Sequence, residues 1–175
     1  MTRIIAGRAR GHRLAAPSHT RTRPTSDRVR ESAFNLISDW AGTAGEPAEQ
    51  MLERFSFLDL YAGTGAVGLE AASRGAAPVV CVERDRPTAA LARQNAAGVG
   101  LDVTVVAASV ESFLAGEATP FDVVWLDPPY DLPNPAVEAQ LQRVVAGGWL
   151  APDGLLVVER SGRDAAPGWP AGVRR

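Results

Sequence analysis

From Phe55 onward, short apolar runs rich in valine and leucine alternate with helical stretches, and this alternation restricts the chain more than any other feature. Phe57-Leu58-Asp59-Leu60 predicts a short buried strand, followed by a glycine-rich turn and a helix over about 66–74. Further strands are expected at 78–83, 103–106, 121–126 and 154–159, with helices over about 87–97, 110–114 and 136–146. Strands alternating with helices in this way build a mostly parallel sheet covered on both faces, an α/β, Rossmann-like architecture. Ligands in such sheets sit at the carboxyl ends of the strands, near the switch in strand order. The chain places Asp59 to Gly65, Glu83, Ser109 and Asp127 to Tyr130 at those ends.

The first 40 residues read as a basic extension, and 51–175 as the body that carries the sheet. Residues 3–6 and 12–14 flank a Gly7 to Gly11 segment, which suggests a short hairpin. Arg23 precedes Pro24, so 21–24 is expected to be extended. Thr25 and Ser26 are N-cap candidates for a helix whose apolar face is expected to hold Val29, Ala33, Leu36 and Ile37. Residues 41–50 read as a loop. The chain's 175 residues, 46% apolar and 22% charged, suit one globular body. No apolar run approaches the roughly 20 residues of a membrane span. No apolar stretch follows the N-terminal arginines, so no signal peptide is visible and a cytoplasmic protein is expected. Cys81 is the one cysteine, which excludes an internal disulfide; neither it nor His12 and His19 has metal-ligand spacing, so no metal is expected.

Gly63, Gly65 and Gly68 spell G-x-G-x-x-G between a strand and a helix, with Glu83 at the end of the next strand. Alone, that matches a dinucleotide site, with the acid on the ribose hydroxyls. Asp59 argues otherwise. It lies four residues before Gly63, and a carboxylate beside a pyrophosphate is repelled by about 1–4 kcal/mol at 4 Å. The same carboxylate attracts the amino group and sulfonium of S-adenosylmethionine. A bare strand-to-helix turn without ligand is the remaining reading.

Asp127-Pro128-Pro129-Tyr130 ends the fourth strand. Its prolines fix the backbone and remove two amide donors, leaving the Asp127 carboxylate and the Pro128 carbonyl as acceptors. Two acceptors can hold both hydrogens of a nucleobase amine and aim its nitrogen at a methyl donor, with the developing positive charge stabilised electrostatically. Tyr130 offers a ring for the base to stack on. A strand-ending turn in a proline-rich chain is the plain alternative, and the Asp59 turn and Glu83 count against it.

Residues 57–76, the segment Arg23-Pro24-Thr25-Ser26-Asp27-Arg28-Val29-Arg30-Glu31-Ser32-Ala33-Phe34-Asn35 and Asp127-Pro128-Pro129-Tyr130 together resemble the RsmD-type 16S ribosomal RNA guanine-N2 methyltransferases. The resemblance runs from about Ile4 to Glu159, and the Arg-Pro-Thr segment is its most specific part. It implies a class I methyltransferase sheet that uses S-adenosyl-L-methionine, releases S-adenosyl-L-homocysteine and methylates N2 of one guanine in small-subunit RNA. It assigns Asp59, Tyr61, Gly63, Thr64 and Gly65 to the methionine end and Glu83 to the ribose, with Arg84 also at the cofactor site, and Ser109 and Val110 at the adenine, where many relatives have Asp or Asn. It gives Asp127, Pro128 and Tyr130 to the target base, which must be flipped or unpaired to be reached. The partner implied is 16S ribosomal RNA, in the small subunit or an assembly intermediate, with the enzyme as a monomer. The chain ends near where a final strand pair of this fold is expected.

Two other readings stay open at this point. An N6-adenine DNA methyltransferase shares the Asp-Pro-Pro-Tyr chemistry but would have only the 30-residue arm for target recognition. An RNA-binding protein of methyltransferase fold without activity would not need Asp59, Glu83, Asp127 and Tyr130 intact. A small-molecule methyltransferase leaves the arm unexplained. Residues 1–30 hold eight arginines against one acid, while the rest of the chain holds ten arginines and nineteen acids. Arg8, Arg10, Arg13, Arg21, Arg23, Arg28 and Arg30, with Thr25, are therefore expected to face RNA. If about six of these arginines contact phosphates, RNA affinity falls about a thousandfold between 50 and 200 mM salt in a filter-binding titration.

Overall fold

The computed structural model describes residues 2–17, 26–160 and 165–174. Strands β1 (Phe57–Leu60), β2 (Val79–Glu83), β3 (Thr104–Ala107), β4 (Phe121–Leu126) and β5 (Leu150–Val158) form one sheet in the order β3-β2-β1-β4-β5. Every neighbouring pair is parallel. Helices α1 (Asp27–Ala41), α2 (Ala66–Ser73), α3 (Arg86–Val99), α4 (Val110–Leu114) and α5 (Asn134–Ala146) complete the chain, with a 3-10 turn at Ala48–Gln50. The α/β architecture read from the sequence is borne out. Strand order reverses between β1 and β4, so the switch point lies between the glycine turn and the Asp-Pro-Pro-Tyr segment.

The strands are apolar on both faces because both faces are covered. Phe57, Cys81, Val123 and Trp125 face one core with residues of α1, α2 and α3, and Leu58, Leu60, Val82, Val124 and Leu126 face the other with α4 and α5. Caps bound the helices: Ser26 accepts from Val29 N at 3.2 Å, and Asp85 from Thr88 N at 3.1 Å. Gly68 lets α2 lie close on β2, since a Cβ there would meet Cys81 Sγ at 2.3 Å.

β5 starts at Leu150, earlier than expected, because Leu150 pairs with Phe121 and the next pair is Val123 with Leu155. The extra residues on β5, among them Asp153 at φ 61°, bulge out of the ladder.

The hairpin expected near the N-terminus forms around an antiparallel Arg3–Arg13 bridge. Ile4, Leu14, Phe34 and Ile37 join the same core as Phe57, so the extension packs into the body. The buried stripe of α1 is Arg30, Phe34, Ile37 and Ser38, which corrects the expected face: Val29 and Leu36 are 39% and 70% exposed. The stripe is rotated because Phe34 stacks on Phe57, centroids 6.0 Å apart, and because Arg30 has buried partners.

Those partners centre on Glu70, which is fully buried in α2. Its carboxylate accepts Ile5 N at 2.8 Å, Ala6 N at 3.1 Å and Arg74 Nε at 2.9 Å, with Arg30 Nε 3.9 Å away. Arg30 donates to Arg3 O at 2.6 Å and Asp27 Oδ1 at 2.8 Å. The expectation that Arg30 faces RNA is therefore corrected: its side chain is fully buried and holds the hairpin on α1 and α2. An acid with two cations can repay its desolvation only while all three are present.

Two stability outcomes follow from this packing. Glu70→Ala, which removes the buried carboxylate that faces Arg74 and, more distantly, Arg30, should cost about 3–5 kcal/mol in urea unfolding, while exposed Leu36→Ala changes stability by no more than about 0.5 kcal/mol. Gly68→Ala should cost about 1–3 kcal/mol through overpacking, and adding Cys81→Ala should recover most of that loss in the same assay.

Candidate active site

Parallel registration aligns the acids along one sheet edge. Asp59 pairs with Cys81 and Trp125, and Trp125 with Val157. Two residues further on, alternation returns Glu83, Asp127 and Glu159 to the face that holds Asp59, whereas Tyr61, turned by its positive φ, packs on the opposite core beside α5. Asp59 is 1% exposed and accepts Gly68 N at 3.1 Å through Oδ2, so it anchors the first turns of α2 beneath these acids. Burial pushes its carboxyl well above the usual carboxylate range; the Gly68 N–H pulls it back, and the charges of Asp127 and Glu83 add to the rise. Burial and the Asp127 charge also raise Glu159.

The turn after β1 is sharp. Tyr61, Gly63 and Gly65 have φ values of 66°, 58° and 91°. Gly63 N donates to Glu83 Oε1 at 3.0 Å, and Asp85 N to Glu83 Oε2 at 2.7 Å, so one carboxylate holds the turns after β1 and β2 together. Each oxygen keeps a lone pair for a further donor. A Cβ built on Gly63 would meet nothing within 4 Å, so the outer side of the turn is open space. An open glycine turn with the Glu83 carboxylate on its backbone and Asp59 beneath it fits a cationic ligand without phosphates, and it fits S-adenosylmethionine.

Side chains that sequence reasoning missed brace this turn. Tyr61 Oη donates to Gln140 Oε1 at 2.8 Å, and Gln140 Nε2 to Glu111 Oε1 at 2.6 Å. Burial raises the Tyr61 phenol, opposed by the Gln140 hydrogen bond. Asn95 Nδ2 donates to Thr64 O at 3.0 Å and to Ala15 O at 3.1 Å, while its Oδ1 accepts Ala15 N at 2.9 Å. The arm is thus tied to the glycine turn through one buried amide. The signal was available: Gln140 sits on the buried stripe Val137, Leu141, Val144, and Asn95 beside Ala92 and Ala96. A polar residue on such a stripe needs a partner.

The remaining assigned residues divide. Ser109 accepts Ser112 N at 3.1 Å and so caps α4, and the Val110 side chain is buried in the core. Arg84 is exposed beside Glu83. Pro128 is buried and Tyr130 is 84% exposed. Arg160, also missed, donates to Pro129 O at 3.2 Å, Leu132 O at 2.7 Å and Asn134 Oδ1 at 3.1 Å, strapping the loop after β4. Arg8, Arg10, Arg13 and Arg28 are exposed. Arg21, Arg23 and Thr25 lie outside the described residues. Among the described residues no group of three or more His, Cys, Asp or Glu could hold a metal ion, and no helix is long and apolar enough to cross a membrane.

Residues 2–175 match the family model described as conserved hypothetical protein 95. The chain is 36% identical over 170 residues to ribosomal RNA small subunit methyltransferase D of Escherichia coli, spanning 97% of this chain and 79% of that protein. It is 34% identical over 163 residues to the putative rRNA methyltransferase YlbH of Bacillus subtilis, 90% of this chain and 81% of that one. Among solved structures, the putative methyltransferase yhhF of E. coli superposes with a TM-score of 0.79 at 35% identity, covering 97% of this chain and 86% of that chain. The resemblance seen in the motifs is borne out: the chain belongs to the conserved hypothetical protein 95 family, that of the ribosomal RNA small subunit methyltransferases D.

Proposed function

We propose that this protein transfers a methyl group from S-adenosyl-L-methionine to the exocyclic N2 of one guanine in 16S ribosomal RNA, acting in the cytoplasm as a monomer on the small subunit or its assembly intermediate. One observation carries the reading most directly. Leu60 pairs with Leu126, so the glycine turn and Asp127-Pro128-Pro129-Tyr130 leave neighbouring strands side by side. Methyl donor and methyl acceptor would meet across that switch point.

S-adenosylmethionine supplies an electrophilic methyl carbon on a positively charged sulfur. The rest of the chemistry falls to the chain. Glu83 and Asp127 give the site the negative field that favours a cation, Asp59 anchors α2 beneath them, and Glu83 keeps acceptor capacity for ribose hydroxyls. Asp127 and the Pro128 carbonyl accept the two N2 hydrogens, which draws the amine toward tetrahedral geometry. Asp127 is then placed to take one of those protons as the nitrogen gains its new carbon. Tyr130 stacks the unpaired base. Arg8, Arg10, Arg13 and Arg28, with Arg21 and Arg23, hold the phosphate backbone.

Radiolabelled methyl transfer to small subunits lacking the modification, with the product nucleoside identified by mass spectrometry, tests the reading. N2-methylguanosine is expected; N6-methyladenine in DNA, or no transfer, would overturn it. Asp127→Ala should retain S-adenosylhomocysteine binding by calorimetry while transfer falls by about a hundredfold or more, and near-normal turnover would remove Asp127 from its role.

A further inference from the structure

We propose that Glu159 accepts the N1–H of the target guanine, next to the N2 amine held by Asp127, and so selects guanine over adenine. The inference rests on the function proposed above and adds a residue that reads the base.

Placement comes from the β4–β5 ladder. Leu126 pairs with Val158, and Glu159 N donates to Leu126 O at 2.8 Å, so the ladder runs past the last residue of both strands. Asp127 and Glu159 therefore leave the sheet side by side, about 4.8 Å apart at the backbone. Each lies two residues beyond the Trp125–Val157 pair, so both point to the face that holds Asp59. Their proximity is felt electrically, since the Asp127 charge adds to burial in raising the Glu159 carboxyl. The next residue, Arg160, grips Pro129, Leu132 and Asn134, which fixes the β5 end against the loop that carries Tyr130.

Two adjacent carboxylates present acceptors only. The Watson–Crick edge of guanine offers adjacent donors, N1–H and the N2 amine. Adenine offers an amine beside N1, a lone-pair acceptor, which would face Glu159 acceptor to acceptor. A site built to bind a donor rejects a ligand lacking it, because its own buried acceptor is left unpaired. Guanine relieves the mutual repulsion of the two acids by placing a hydrogen on each. Glu159 takes no proton in this role; N1–H stays on the base.

The test uses small-subunit RNA carrying guanine, or 2-aminopurine in its place, at the position the enzyme methylates. 2-Aminopurine keeps the N2 amine and turns N1 into an acceptor. The wild-type enzyme should prefer guanine by about tenfold or more in kcat/KM. Glu159→Gln, whose amide can donate to N1, should reduce that preference to about threefold or less, with S-adenosylhomocysteine affinity unchanged. Equal use of both bases by the wild-type enzyme would overturn the proposal without reference to any variant. So would an undiminished preference in Glu159→Gln. Failure of the wild-type enzyme to methylate even the guanine RNA would overturn the function reading, and this inference with it.

Discussion

The parallel ladder that joins β1 to β2 and β4 is the constraint on which the site depends. Registration of Asp59 with Cys81 and Trp125 brings Glu83, Tyr61 and Asp127 to one edge, although they are far apart in sequence. Alignment of this kind sets like charges together, which is unfavourable unless donors or a cation offset it. Backbone N–H groups supply part of the offset: Gly68 for Asp59, and Gly63 and Asp85 for Glu83. The remainder is the field that a sulfonium and an amine would satisfy. Stability and ligand choice thus come from the same geometry, and Gly68 belongs to both, because its missing side chain brings its amide within reach of Asp59.

A second feature links the arm to the site. Glu70 holds the hairpin through Ile5 and Ala6, and Asn95 holds Ala15 while also binding Thr64 in the glycine turn. The segment that carries the exposed arginines is therefore fastened to the elements that shape the candidate cofactor site. Arg30 shows that the basic cluster is of two kinds. Part of it is solvent-facing charge, and part is a buried tie that fixes the exposed part in place.

Much of this was legible in the sequence, for physical reasons. Strand and helix periods, glycines at a strand end and proline pairs are local signals, and they located β1, α4 and β4 and the two motif loops. Ser26 was legible as a cap because capping is local. The buried face of α1 was not, because hydrophobicity favours Val29 and Leu36 over Arg30, and Arg30 is the better buried residue only once the hairpin brings the Arg3 carbonyl, and α2 brings Glu70, to join Asp27 around it. The strand-register neighbours of Asp127 were likewise hidden: Glu159 becomes part of the edge only when β5 pairs with β4. Gln140 and Asn95 stand out as polar residues on buried stripes, but the loops that they and Arg160 hold lie 20 or more residues away and are not named by any local pattern.

The carboxylates Glu83 and Asp127 beside an open glycine turn select a cationic ligand without phosphates. Calorimetric titration of the full chain with S-adenosylmethionine and, side by side, with NAD tests it most directly. Saturable binding of the first and none of the second over the same concentrations is expected. Dinucleotide binding as tight as that of S-adenosylmethionine would contradict it.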